Sequence, residues 1–385
     1  MSATVFRNIG ELTTNGDLGV LHDAALVLDG QRVVWVGADV DAPAADSSID
    51  VGGRAVLPGW VDSHTHLAFA GDRSTEFAAR MAGETYTAGG IKVSVERTRA
   101  ASGDELRSLM AERIRTANVN GTTWLETKTG YGLGVETEER SARLAAEFGQ
   151  DVTFLGAHVV PDGWDADDYV ALVTGPMLQA VRPYVAWMDV FCERGAFDEA
   201  QSRAVLQAGL DSGLGLRVHG NQLGPGPGAR LAVELGAASV DHCNFLDDED
   251  IDRLAASSTV ATLLPACDLS TRQPFPPARS LIDAGATVAL ASNCNPGTSY
   301  TTSMAFCVAT AVLQMHLGVE EAVWSATMGG AVALRRHEGE LPIGGLMPGF
   351  RADLQVLDAP SVTHLAYRPG MQLTQAVWQA GVRLA

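Results

Sequence analysis

The sequence predicts an α/β protein: a (β/α)8 TIM-type barrel with a small composite β domain formed from both chain ends. Three observations lead there. The central segment alternates eight short β-branched runs with helical stretches, the pattern of parallel strands joined by crossover helices. The two ends of the chain share a different, hairpin-like texture. Five of the nine histidines stand at the C-terminal ends of the expected strands, where barrels of this class gather their chemistry.

Residues 24–37 read as two short strands around the turn Asp29-Gly30. At the other end, 352–358 and 375–384 are strand-like and separated by a Pro/Gly-rich stretch. Chain ends often lie close together, so 1–55 and 345–385 are assigned to the small domain and 56–344 to the barrel. Barrel strands are expected at 56–63, 122–127, 152–158, 187–193, 215–219, 239–242, 260–265 and 287–293. Between them lie helical patterns such as 104–114, which follows Ser102-Gly103 and repeats its apolar residues every three or four positions.

At 385 residues, 46% hydrophobic and 19% charged, the chain is long enough for one large domain and a smaller one, which excludes a disordered or fibrous class. A net charge of −19 and a pI near 4.8 argue against nucleic acid or an anionic membrane as partner. An anionic ligand therefore needs a local cationic site. Five widely spaced cysteines, mostly inside apolar runs, read as buried free thiols in a reducing compartment. With neither a secretory leader nor an apolar run long enough to span a bilayer, the expected location is the cytoplasm.

His64-Thr65-His66 closes an apolar run. On an extended chain, residues i and i+2 point the same way, so the two imidazoles supply half of a metal site and need partners from elsewhere. Alone, such a pair is an ordinary surface or core feature. The other strand ends carry Lys128, His158, Glu193, His219, His242 and Asn293.

The block Pro58-Gly-Trp-Val-Asp-Ser-His-Thr-His66, single histidines ending the fifth and sixth strands, and a polar residue ending the eighth resemble the amidohydrolase superfamily, whose members hydrolyse amide-type or amidine-type bonds with a metal-activated water. A sharper resemblance rests on five further segments. These are His66-Leu-Ala-Phe-Ala-Gly-Asp-Arg-Ser-Thr-Glu-Phe77, Glu126-Thr-Lys-Thr-Gly-Tyr-Gly-Leu133, Gly156-Ala-His-Val-Val-Pro161, Asp241-His-Cys243 and Asn295-Pro-Gly-Thr-Ser299. Together they resemble the imidazolonepropionase family of histidine breakdown, in order and over nearly the whole chain. The resemblance implies hydrolysis of 4-imidazolone-5-propanoate to N-formimidoyl-L-glutamate, with one divalent ion, zinc or iron, held by His64, His66 and His219. It assigns proton transfer to His242, whose plainer alternative is a supporting hydrogen bond. It gives the substrate's propionate and ring to Arg73, Tyr86, Tyr131 and His158, with further contacts from Gln222, Asn295, Gly297 and Thr298. An Arg grips a carboxylate with two parallel hydrogen bonds, which gives an acidic protein its local cationic site. A homodimer is the family's default assembly.

Two positions depart from the family pattern. Gln222 stands where the family often has Glu, and its amide cannot act as a base. Asn293 stands where the family has an aspartate that ligates the metal and accepts the water's proton. Asn offers a carbonyl oxygen to a metal but no proton acceptor at neutral pH, and it removes a negative charge from the ion's surroundings. His242, Gln222 and Asn293 thus form the implied catalytic set, with Asn293 also in the metal set. Three readings of Asn293 follow: a deliberately inactivated variant, a natural member that uses His242 as base, or a natural member that has lost hydrolysis. The alternative function is a divergent amidohydrolase on another cyclic amide, or a non-catalytic small-molecule binding protein on the same barrel.

Overall fold

The computed structural model of the chain describes residues 3–83, 90–149 and 151–384. Strands β1 (Ala3–Thr13), β2 (Val20–Asp29), β3 (Arg32–Ala38), β4 (Ser47–Asp50) and β5 (Ala55–Pro58) open the chain. The barrel strands follow: β6 (Trp60–Asp62), β7 (Thr122–Lys128), β8 (Asp151–Ala157), β9 (Trp187–Cys192), β10 (Gly215–Gly220), β11 (Ser239–His242), β12 (Val260–Leu263) and β13 (Val288–Leu290). β14 (Leu354–Leu357), β15 (Thr374–Gln379) and β16 (Val382–Arg383) end it.

β6 to β13 form one parallel eight-stranded sheet in sequence order, with helices on the crossovers, as the alternating pattern predicts. It closes on itself beyond the ends of β6 and β13. Thr65 bridges Cys294, Asn293 N–H donates to the His64 carbonyl at 3.0 Å, and His66 N–H donates to the Cys294 carbonyl at 2.9 Å. The closure thereby holds the strand ends that carry His64, His66 and Asn293 in register.

The remaining strands form the second sheet, in the order β16-β15-β14-β5-β1-β2-β3 with β4 beside β1, so strands from both ends of the chain share one surface. Its core is apolar: Phe6, Ile9, Leu12, Leu26, Val56, Leu354 and Trp378 pack together, with the Phe6 and Trp378 rings edge to face at 4.9 Å. The expected first barrel strand, 56–63, is in fact divided between the sheets. Pro58 has no N–H to continue a ladder, and Gly59 lies so close to Thr123 that any Cβ there would collide with it. The chain bends at that point and enters the barrel.

Local signals in the sequence act as expected. Asp29 and Arg32 pair across the β2–β3 turn, and the 104–114 pattern belongs to a helix, Gly103–Val119, whose N-cap Ser102 accepts from the Glu105 N–H. All five cysteines are buried and free. Among the described residues no helix is long and apolar enough to cross a membrane.

Candidate metal centre and substrate cleft

Beyond β6 the chain stays extended through 64–66, and His219 comes from β10. The Nε2 atoms of His64 and His66 are 3.2 Å apart, and those of His66 and His219 are 3.5 Å apart. Tetrahedral zinc with imidazole bonds of about 2.0–2.1 Å sets its nitrogens roughly 3.3 Å apart. The protons lie elsewhere: His64 Nδ1 faces Asp241 Oδ2 at 2.7 Å, and His219 Nδ1 faces Asp189 Oδ1 at 3.1 Å. Ionised carboxylates only accept, so both rings are protonated on Nδ1 and turn Nε2 lone pairs toward one point.

Burial pushes His64, His66 and His242 well below the usual imidazole range, so these rings are neutral at pH 7. Converging lone pairs repel one another unless a cation lies between them. Asn293 Oδ1, His242 Nδ1 and His66 Nδ1 are also buried without a hydrogen-bond partner among the described residues. Donor atoms of His64, His219 and His242 all fall within 4.8 Å of one another. The residues present therefore fit a divalent cation.

Beneath the imidazoles lies a layer of ionisable groups with no exposure: Glu126, Lys128, Asp189, Arg217 and Asp241. Burial pushes the Glu126 carboxyl above the usual range. Glu126/Lys128 and Arg217/His219 sit two residues apart on their strands, so both members of each pair face the barrel axis. Burial opposes ionisation of Asp189 and Asp241, yet His219 and Lys128 hold the first below the usual carboxylate range, and Arg217 and Lys128 do so for the second. Burial likewise opposes charge on Lys128, and Asp189 and Glu126 outweigh it.

His242 follows Asp241 directly and would point out of the barrel in a regular strand. Its φ of 85°, followed by 62° at Cys243, breaks the alternation, and its ring lines the cleft. Left-handed backbone at a histidine is costly and marks a site where side-chain direction matters.

An open cleft lies above the imidazoles, and its lining includes Arg73, Tyr131, His158, Gln222, His242, Asn293, Asn295 and Thr298. Tyr131 rides on a loop folded around Glu138, which accepts from the N–H groups of Gly130, Gly132 and Leu133 at 3.0, 2.7 and 2.8 Å. His158 Nδ1 lies 2.9 Å from the Gly130 carbonyl, which fixes the proton on that nitrogen and leaves Nε2 as an acceptor. Burial lowers this ring's pKa to about 4.

Two expected substrate contacts are engaged within the protein. The Asn295 carbonyl oxygen accepts from Gly297 and Thr298 N–H, while its amide donates to the Asn293 carbonyl and Thr298 Oγ1, at 2.7–2.9 Å throughout. Its side chain thus shapes the loop. Arg73 donates through Nε and one terminal nitrogen to both Glu76 oxygens, at 2.8 and 2.7 Å. Its other terminal nitrogen faces Gly297, where a Cβ would strike it. Gln222 directs its amide toward Cys267 Sγ at 3.9 Å. Tyr86 lies outside the described residues.

No family model matches the chain. An imidazolonepropionase of Saccharopolyspora erythraea is 65% identical, with 100% of this chain and 99% of that protein covered. The chain belongs to the imidazolonepropionase family. An imidazolonepropionase of Streptomyces griseus is 54% identical with both chains fully covered. Solved structures share the fold at lower identity. A variant of the atrazine chlorohydrolase TrzN from Arthrobacter aurescens, with zinc and atraton, superposes with a TM-score of 0.74 at 20% identity over 99% of this chain and 94% of the other. A zinc-bound adenosine deaminase from Xanthomonas campestris gives 0.74 at 20% identity over 99% and 92%.

Reading the sequence of this imidazolonepropionase-family chain assigns no role to Asp189, Asp241 or Glu76. A lone Asp inside the apolar run of β9 was the available signal for the first, and the two-residue spacing Ser239/Asp241 for the second. Glu76, three residues after Arg73 at the start of helix Ser74–Met81, was legible as a helical neighbour.

Proposed function

We propose that this chain hydrolyses 4-imidazolone-5-propanoate to N-formimidoyl-L-glutamate in histidine breakdown, with one zinc or iron ion held by His64, His66 and His219 and with Asn293 beside it. The observation that carries the reading is the convergence of three imidazole Nε2 atoms at the floor of a cleft, in a chain 54–65% identical over its length to proteins named imidazolonepropionase. That likeness favours this substrate over another cyclic amide and favours an enzyme over a binding protein.

When bound, such a cation supplies Lewis acidity, making water a better nucleophile near neutral pH and polarising the ring carbonyl. The protein's own groups handle protons and orientation. In the net reaction water's oxygen joins the carbonyl carbon, the ring C–N bond breaks, and a proton passes to the leaving nitrogen. His242, neutral by burial and with no partner on Nδ1 among the described residues, takes the water's proton and returns it to that nitrogen. Asn293 offers only a carbonyl oxygen and positions water without accepting its proton. His158 Nε2 accepts from a ring N–H, Tyr131 packs beside it with ring centroids 5.4 Å apart, and Arg73 binds the propionate. Tyr86, Gln222, Gly297 and Thr298 complete the proposed contacts. A small domain built from both chain ends, a homodimer and a cytoplasmic location belong to the same reading, with the expected boundary at 55/56 moved to the bend at Gly59 because β5 pairs within the composite sheet.

The test is turnover of freshly generated imidazolone propanoate by the purified chain, alongside elemental analysis. Stoichiometric metal and formimidoylglutamate production, both lost on chelation, are expected. Retained ligand binding without metal or product would favour the binding-protein alternative.

A further inference from the structure

We infer that Lys128 is a positioning residue for the cation-binding imidazoles, acting through Asp189 and Asp241. The inference rests on the reading of His64 and His219 as ligands and adds what holds them.

Interiors of such barrels are ordinarily filled by Val, Ile and Leu. Here Lys128 is fully buried at the end of β7, with Nζ 2.9 Å from Glu126 Oε1, 2.9 Å from Asp189 Oδ2 and 3.8 Å from Asp241 Oδ2. Asp189 and Asp241 are the carboxylates that end on His219 Nδ1 and His64 Nδ1. One ammonium therefore joins both carboxylate arms, so the two rings are set relative to each other rather than separately. Arg217 secures one arm again: it lies 3.6 Å from Asp241 Oδ2 and donates to the Ser63 carbonyl, next to His64, at 2.8 Å.

Charge alone would give Lys128 the opposite effect. Lys128 and Arg217 are the cations of this layer, facing the carboxyl groups of Glu126, Asp189 and Asp241. Removing the ammonium makes the layer more negative, which by Coulomb attraction would tighten a divalent cation. Removing a tether frees Asp189 to rotate and lets the His219 ring turn, which loosens the cation. Partners of this kind commonly change metal affinity by about 10–100-fold. The sign separates the two roles.

The experiment measures zinc affinity of the metal-free full chain by competition with a chromophoric chelator, with thermal melting of the metal-free proteins as fold control. Lys128→Met should bind zinc about 10–100-fold more weakly. Asp189→Asn should do the same, and the Lys128→Met/Asp189→Asn double variant should be little weaker than Asp189→Asn alone, because Arg217 still holds the Asp241 arm and both changes break the Asp189 arm. Unchanged or tighter binding by Lys128→Met, or fully additive losses, overturns the inference. Lys128→Met/Glu126→Gln removes the ammonium together with its paired carboxyl group and guards against misfolding of the single variant. It should remain weak, and recovery of the parent affinity would show that charge rather than the tether mattered. A parent chain that binds zinc no better than His219→Ala overturns the ligand reading and this inference with it. Equal zinc binding by parent and Lys128→Met overturns the inference alone.

Discussion

The barrel interior below the rim and the core of the composite sheet are equally dry and are filled by opposite chemistry. In the sheet, Phe6, Ile9, Leu12, Leu26 and Leu354 have no exposure; in the barrel the same is true of Glu126, Lys128, Asp189, Arg217 and Asp241. An apolar side chain stabilises wherever it leaves water, by about 25 cal/mol per Å² of area buried, and asks only for space and shape. A buried charge is costly unless an opposite charge meets it at short range. The sheet thus contributes stability through bulk, whereas the barrel layer contributes little stability and instead fixes where two imidazoles point. One level higher, the rim differs again, because Asn293 Oδ1 and His242 Nδ1 have no partner among the described residues. Partners missing from the fold are what a cation, water and substrate supply.

If that contrast is right, rim variants lose chemistry without losing the fold, and sheet variants do the reverse. The largest effect is expected from His219→Ala, which should abolish stoichiometric metal and turnover while the melting temperature of the metal-free protein stays near the parent's. Full metal content in that variant would break the contrast at its centre. Next comes Asn293→Asp, which returns a proton acceptor and a negative charge to the rim. General-base help is commonly worth roughly 10²–10⁴-fold, so the Asp form should be that much faster when compared at equal metal occupancy. An Asp form no faster than the parent would move the base to His242 alone.

Arg73→Met should weaken binding of a propionate-bearing ligand by roughly 2–5 kcal/mol, the usual loss on truncating one side of a desolvated charge pair. An analogue lacking the carboxylate should be nearly unaffected. Equal losses for both would mean that Arg73, already paired with Glu76, serves the local fold rather than the ligand. The smallest effect on activity is expected in the sheet. Phe6→Ala removes a fully buried ring packed on Trp378 and should cost about 3–5 kcal/mol of unfolding free energy. Its kcat at a temperature where it remains folded should match the parent's. A matching drop in metal affinity would show that the sheet and the rim are coupled.

Much of the site was legible because the chemistry repeats a local rule. The common direction of His64 and His66 is legible from their spacing, since a two-residue period puts both side chains on one face, while a metal site still needed partners from other strand ends. Ser102 announces its helix by the same kind of short-range logic. Other features carry no such mark. The bend at Gly59 depends on Thr123 lying against it, 64 positions away in the chain. Asn295 reads as a substrate contact, yet its amide is engaged by its own loop once that loop closes.

The sequence by itself determined the alternation of strands and helices, the hairpin texture of the two ends, the caps and turns, and the residue types at the barrel rim. All follow from interactions among neighbours a few positions apart. Only the tertiary structure decided that Lys128 meets Asp189, that Asp241 meets His64 across 177 positions, and that His242 turns inward beside an inward-facing Asp241. Those outcomes depend on the stagger of parallel strands and on backbone dihedrals at strand ends. Barrel closure sets both at once, and neither has a local signature in the chain.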